Sequence, residues 1–210
     1  MQELVTLASI VAALSVGVIS PGPSFVMVAR VAVASSRIRA LATALGMGAG
    51  GAIFGAAALL GLQSVLLAVP ALYAGLRVLG GLYLCYLGFL IFRSAQRPVA
   101  AVADGGEGSS GPLRAFWLGV TTQVSNPKTA IVYASVFAAF LPVSFSLGFA
   151  AALLAAVFLV ESAWYALVAV LFSSSGPQRA YLSYKSWVDR AAGAVMFGLG
   201  LKLVTSAAKP

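Results

Sequence analysis

The sequence predicts an all-α membrane protein of six transmembrane helices, arranged as two inverted three-helix repeats, with spans one and four broken. Three observations lead there. Of 210 residues, 61% are hydrophobic and only 9% are charged, too few charges to cover a water-soluble globule. Long runs carry no charge at all. Two of those runs contain helix-interrupting residues at matching places, Ser20-Pro21-Gly22-Pro23 in the first and Ser125-Asn126-Pro127-Lys128 in the fourth. Backbone groups left unpaired at membrane depth are costly and are tolerated only beside protein or water, so matched breaks in two halves point to a transport site.

The spans are expected at 4–34, 40–62, 70–92, 114–141, 146–172 and 187–206. Leu4 to Ile19 rises about 24 Å, which puts the first break deep in the bilayer or toward its far side. Arg114 to Ser125 rises about 18 Å, which puts the second nearer the midplane. The polar, glycine-rich stretch 98–112 reads as a flexible linker between a first repeat, 1–97, and a second, 113–210, within one integral membrane domain. Nine basic residues fall after spans one, three and five, three (Arg77, Lys202 and Lys209) fall on the other side, and Lys128 is left inside the membrane. The positive-inside rule then makes the linker cytoplasmic and both termini periplasmic. A second matched pair supports the inversion: Arg77-Val78-Leu79-Gly80 opens span three and Arg190-Ala191-Ala192-Gly193 opens span six, with glycines recurring at Gly88 and Gly200.

Several function classes are disfavoured on composition. The net charge of +8 comes from basic residues set singly between spans, which topology explains better than a nucleic-acid partner does. One cysteine, Cys85, allows no intramolecular disulfide, and the absence of histidine removes the commonest zinc ligand and proton shuttle, so neither a metal site nor a cofactor is expected. An intramembrane enzyme would need a nucleophile and base in register, and no catalytic residue is expected. The N-terminus, Met1-Gln2-Glu3, lacks the basic region of a secretory signal, so the first span is expected to be retained.

The residues at the breaks suit a zwitterion. Pro127 fits the first position of a helix because no amide donor is needed there, and Asn126 before it can cap the following turn. Pro23 could begin the second half of span one in the same way, with Ser20 or Ser24 supplying a hydroxyl and Gly22 allowing a ligand to approach the backbone. Half-helix N-termini would receive a carboxylate, and carbonyls near Ile19 and Val124 could accept from an ammonium group. The alternative is that these prolines only kink helices for packing. Lys128 and Glu161 are the two charges expected well inside spans, where an ionisable group needs a partner or a task. Lys128 could hold a substrate carboxylate or pair with Glu161; Glu161 is the candidate proton carrier. Gly46, Gly50, Gly51 and Gly55 read as close helix packing. Gln123 and Thr121 could extend the polar lining, Tyr133, Trp164 and Tyr165 could line a cavity or pack, and Tyr181, Tyr184 and Trp187 read as an interfacial belt.

With Pro21-Gly22-Pro23 in span one, Asn126-Pro127-Lys128 in span four and Gly81-Leu82-Tyr83-Leu84-Cys85-Tyr86-Leu87-Gly88 in span three, the chain resembles the LysE/RhtB family of amino-acid exporters from Leu4 to about Lys202. The resemblance implies efflux of amino acids or close derivatives across a bacterial inner membrane, driven by the proton gradient, and it favours a site role for Lys128. It does not fix the substrate. The expected function is therefore a secondary transporter with an amino-acid substrate, protons as coupling ion and the lipid bilayer as surroundings; a homodimer is plausible for so small a bundle. A metal-ion exporter or channel of the wider superfamily is the alternative, although a cation pore usually shows acidic rings and Glu161 is the only acid expected within the membrane.

Overall fold

The computed structural model describes residues 2–20, 22–68, 78–79, 81–83, 85–86, 88–90, 92–93, 95, 111–142 and 144–207, and among them every regular element is an α-helix. In chain order these are α1 (Gln2–Ile19), α2 (Pro23–Ala34), α3 (Arg37–Ala68), α4 (Pro112–Val124), α5 (Pro127–Phe140), α6 (Leu147–Phe172) and α7 (Ser175–Ala207). Further helical residues lie between 78 and 93. Among the described residues, three stretches are long and apolar enough by themselves to cross a membrane: Gln2–Ile19, Arg37–Gly61 and Leu147–Phe172. The 98–112 stretch lies outside the described residues up to position 110, as do Arg77 and Gly80.

Local chemistry sets the helix ends. Pro23, Pro112 and Pro127 each open a helix, where the missing amide hydrogen costs nothing. Ser146 caps α6 by accepting from the amide of Phe149 at 3.1 Å, and Glu3 accepts from both the amide and the hydroxyl of Ser146 at 2.9 Å. That clasp brings the starts of α1 and α6 to one end of the bundle. The last helix departs from expectation. It begins at Ser175 rather than at 187, because Pro177 is harmless in a first turn and the polar stretch after it extends the helix without adding apolar character.

The bundle is organised around α3, which packs most extensively against α4 and α6. Glycine makes that approach possible. A Cβ on Gly50 would lie 2.6 Å from Cβ of Gln123 on α4, and one on Gly55 would lie 2.9 Å from a methyl of Leu154 on α6. Gly46 and Gly119 leave still less room, each set against a backbone carbonyl of the facing helix. The 78–93 stretch meets α7 in the same manner. A Cβ on Gly81 would lie 2.9 Å from the Gly200 carbonyl oxygen, and one on Gly88 would lie 2.6 Å from that of Gly193.

Two apolar clusters result, one around Leu14, Phe137 and Leu153 and the other around Phe25, Met47 and Val168. Large aliphatic side chains also point outward, Leu60 at 77% and Leu147 at 86% exposure, as suits surfaces facing lipid. Glycine contact against backbone cannot yield, so Gly119→Val is expected to cost about 1–3 kcal/mol, read as an earlier melting midpoint of the purified protein in detergent. Gly61→Ala, at a glycine with no neighbour within 4 Å, should match or exceed the wild type in the same melt.

Candidate functional site

Each break is a gap of a few residues between two helices that together cover an expected span. At the first, α1 ends at Ile19, and Gly22 takes an extended conformation as the N-cap of α2 with no side-chain cap; its carbonyl accepts from the amide of Val26 at 3.0 Å. At the second, α4 ends at Val124, the amides of Ser125 and Asn126 turn back onto the carbonyls of Thr121 and Gln123, and Asn126 caps α5 by accepting from the Lys128 amide at 3.0 Å.

The two breaks meet. The Lys128 ammonium donates to the carbonyl of Ser20 at 2.6 Å, so a cation from the second break occupies a backbone oxygen exposed by the first. Gly22 makes room for it: a Cβ there would lie 3.0 Å from Cδ of Lys128. Above this contact runs a chain of buried hydrogen bonds. Asn126 Nδ2 donates to Ser24 Oγ at 2.8 Å, Ser24 Oγ donates to Gln123 Oε1 at 2.5 Å, and Gln123 Nε2 donates to Glu161 at 2.7 Å. Tyr133 reaches the other Glu161 oxygen, donating at 2.8 Å. Behind that pair, α3 is bare; a Cβ on Gly51 would lie 2.8 Å from the Tyr133 hydroxyl.

These groups line one cavity whose empty space, including its opening, is about 330 Å³. Ser20, Gly22, Ser24, Gln123 and Asn126 supply its polar wall, Lys128 and Glu161 its charges, and Leu14, Val18 and Val132 its apolar wall. The hydroxyl of Ser20, one of the lining residues, is buried without a hydrogen-bond partner among the described residues. The chemistry is therefore one cation, one anion and several short-range polar groups around a small enclosed space. Such a wall matches a zwitterion.

Of the sequence-predicted site residues, the structure brings together Ser20, Gly22, Asn126, Lys128 and Glu161. Pro23 and Pro127 begin α2 and α5, and Pro21 lies outside the described residues. The pairing of Lys128 with Glu161 takes another form: each has its own hydrogen-bond partners, and they act on one another electrostatically across the cavity. The expectation that helix-end carbonyls near Ile19 stand open for an ammonium group also changes, since Lys128 occupies the Ser20 carbonyl. Gln123 and Tyr133 belong to the site, whereas Thr121 turns its hydroxyl back onto the carbonyls of Trp117 and Leu118. Glu161 is not the only buried acid. Asp189, 3% exposed, attracts Lys128 from α7, whose apolar part was expected to begin only at 187.

The family model described as LysE type translocator matches residues 15–207, a range holding both breaks, the 81–88 segment and Asp189. The chain belongs to this family. It is 36% identical over 196 residues to a threonine efflux protein of Salmonella typhi, covering 91% of this chain and 93% of the relative. To the threonine efflux protein of Escherichia coli K12 it is 34% identical over 194 residues, with the same coverage. A leucine efflux protein of Enterobacter sp. strain 638 is 30% identical over 128 residues, 60% of this chain and 59% of the relative. No solved structure matches the chain.

Asn126 both caps α5 and holds Ser24 in line. Asn126→Ala is expected to lose about 1–2 kcal/mol in a reversible denaturation measurement in detergent, and Asn126→Asp, which keeps the capping oxygen, about half of that.

Proposed function

We propose that the chain is a secondary active transporter that exports amino acids, with threonine the first candidate, from the cytoplasm across a bacterial inner membrane by proton-coupled alternating access. The observation that carries this reading is the cavity where both breaks meet, with one cation and one anion on its wall. Lys128 would release the Ser20 carbonyl and take the substrate's carboxylate, Glu161 would receive the ammonium group or exchange a proton, and the N-termini of α2 and α5 would add their positive ends. Relatives that carry threonine and leucine in their names support the substrate class. A wall of amides, hydroxyls and one charge of each sign suits a zwitterion better than a metal ion, which would want several carboxylates.

The two-repeat arrangement is part of the same proposal, with three spans on either side of the 98–112 linker and both termini periplasmic. Support comes from the contacts between the 78–93 stretch and α7. Gly81, Cys85, Gly88 and Phe92 stand 112 positions before Gly193, Phe197, Gly200 and Val204. Gly81 meets Gly200 and Val204, while Gly193 meets Gly88 and Phe92; Gly88 meets Phe197, while Gly200 meets Cys85. Each contact has a counterpart with the partners exchanged, the pattern of a two-fold interface. An in-plane two-fold axis of this kind would let the halves rock about the cavity.

The test is efflux from proteoliposomes loaded with labelled amino acids. Threonine is expected to leave faster than from protein-free vesicles, and no acceleration for any amino acid would overturn the reading. Lys128→Met should lower threonine efflux at least tenfold. Glu161→Gln should lose the response of efflux to an imposed pH gradient while retaining exchange of internal for external threonine; an unchanged response would clear Glu161 of proton coupling.

A further inference from the structure

Lys128 carries its charge away from the helix it belongs to. It is the second residue of α5, where the positive end of the helix dipole disfavours a cation, and its ammonium reaches instead to the C-terminal end of α1, where the dipole favours one. There it donates to the carbonyl of Ser20, the residue after Ile19 at which α1 ends. The stem passes over bare backbone, since a Cβ on Gly22 would lie 3.0 Å from Cδ and 3.4 Å from Nζ of Lys128. Ser20 is 2% exposed, and its hydroxyl, unlike its carbonyl, has no hydrogen-bond partner among the described residues. Ser20, Gly22 and Lys128 all line the polar cavity, so this contact is part of its wall.

We infer that Lys128 stands in for the substrate's ammonium group at the Ser20 carbonyl, and that only a molecule bringing both an ammonium group and a carboxylate can exchange with it. The inference rests on the exporter reading and divides its roles more finely. The carbonyl end of α1 takes the ammonium group, Lys128 takes the carboxylate, and Glu161 is left for the proton. Such an exchange is balanced. One ammonium replaces another at the carbonyl, so nothing is lost there, while Lys128 trades a neutral acceptor for a charged one and its hydrogen bond strengthens. Half a substrate cannot do this. An amine without a carboxylate takes the carbonyl and leaves Lys128 without its hydrogen bond; an acid without an ammonium group draws Lys128 off and leaves the carbonyl bare. Both are refused because a polar group inside the bundle loses its partner, not because of their shape.

Binding of labelled threonine, leucine and their decarboxylated amines, 1-amino-2-propanol and 3-methylbutylamine, is measured by equilibrium dialysis with the full chain in detergent. The wild type should bind the amino acid, and a large excess of its amine should not displace it. Were the ammonium group held on Glu161, the amine could bind without moving Lys128 and would compete. Lys128→Met frees the carbonyl: the amino acid should bind at least about tenfold more weakly, and the amine at least about tenfold more tightly, than to the wild type, the worth of one hydrogen bond to a charged group. Adding Glu161→Gln to Lys128→Met should keep most of the amine's gain, because the carbonyl is untouched; a gain that came only from removing a cation beside Glu161 would vanish. An amine that displaces the amino acid from the wild type, no gain in Lys128→Met, or a gain that vanishes with Glu161→Gln overturns the inference and leaves the exporter reading intact. If the variants do not fold, the wild-type competition decides alone. A wild type that binds neither amino acid overturns the exporter reading and takes the inference with it.

Discussion

One constraint governs the interior of this protein: at bilayer depth a backbone amide or carbonyl must find its partner within the protein. Interrupting two helices opens the ladder twice; the second break turns its amides back onto Thr121, Gln123 and the Asn126 side chain, and it lends Lys128 to the first. Lys128 beside the second break takes the Ser20 carbonyl of the first, and Ser24 just after the first takes a hydrogen from Asn126 of the second. The first break thus draws a backbone partner from the second, and the side chains of the two are joined. The α1–α2 and α4–α5 segments are tied together by these contacts, and the small space beside them is polar for the same reason.

Magnitudes separate what holds the bundle from what the polar chain is for. Hydrogen bonds between transmembrane helices are worth about 0.6 kcal/mol on average and about 1.7 at most, so the four side-chain bonds of the network, two of which end on Glu161, contribute at the average value about as much as one well-packed leucine. Cohesion comes instead from backbones in close approach, where Gly46, Gly50 and Gly119 let α3 settle onto α4 and Gly55 lets it settle onto α6. An arrangement that stabilises so little, yet buries an amide, an acid and a lysine together, fits the binding role proposed for it.

The breaks were legible because proline has no amide hydrogen and asparagine is a capping residue; both properties belong to the residue and need no neighbour. Glu161 was legible for a similar reason, as an acid within an apolar run. Its partners were not, since Gln123 and Tyr133 reach it across 38 and 28 positions of chain, and no local pattern encodes such a meeting. Asp189 was missed because hydropathy marks where a helix becomes apolar, not where it begins, and α7 starts well before its apolar part. The proposed repeat shows the limit most clearly. Aligning Arg77 with Arg190 pairs Gly80 with Gly193, whereas the glycines that touch are related through Gly81, one place along. A charge at a helix mouth can shift by a residue at little cost, but a glycine pressed on a carbonyl cannot.

The hydrogen bonds running to Glu161 also have a direction. From the Lys128 amide through Asn126, Ser24 and Gln123 each group gives its hydrogen onward, and Tyr133 gives its own from the far side, so the carboxylate is a terminus where arrows converge. A hydrogen arriving there finds two neighbours that are already giving. It must either point into the cavity, toward whatever is held there, or force one neighbour to turn round. If that neighbour is Gln123, the reversal passes amide by hydroxyl by amide to the cap of α5, and the helix that carries Lys128 loses its first hydrogen bond.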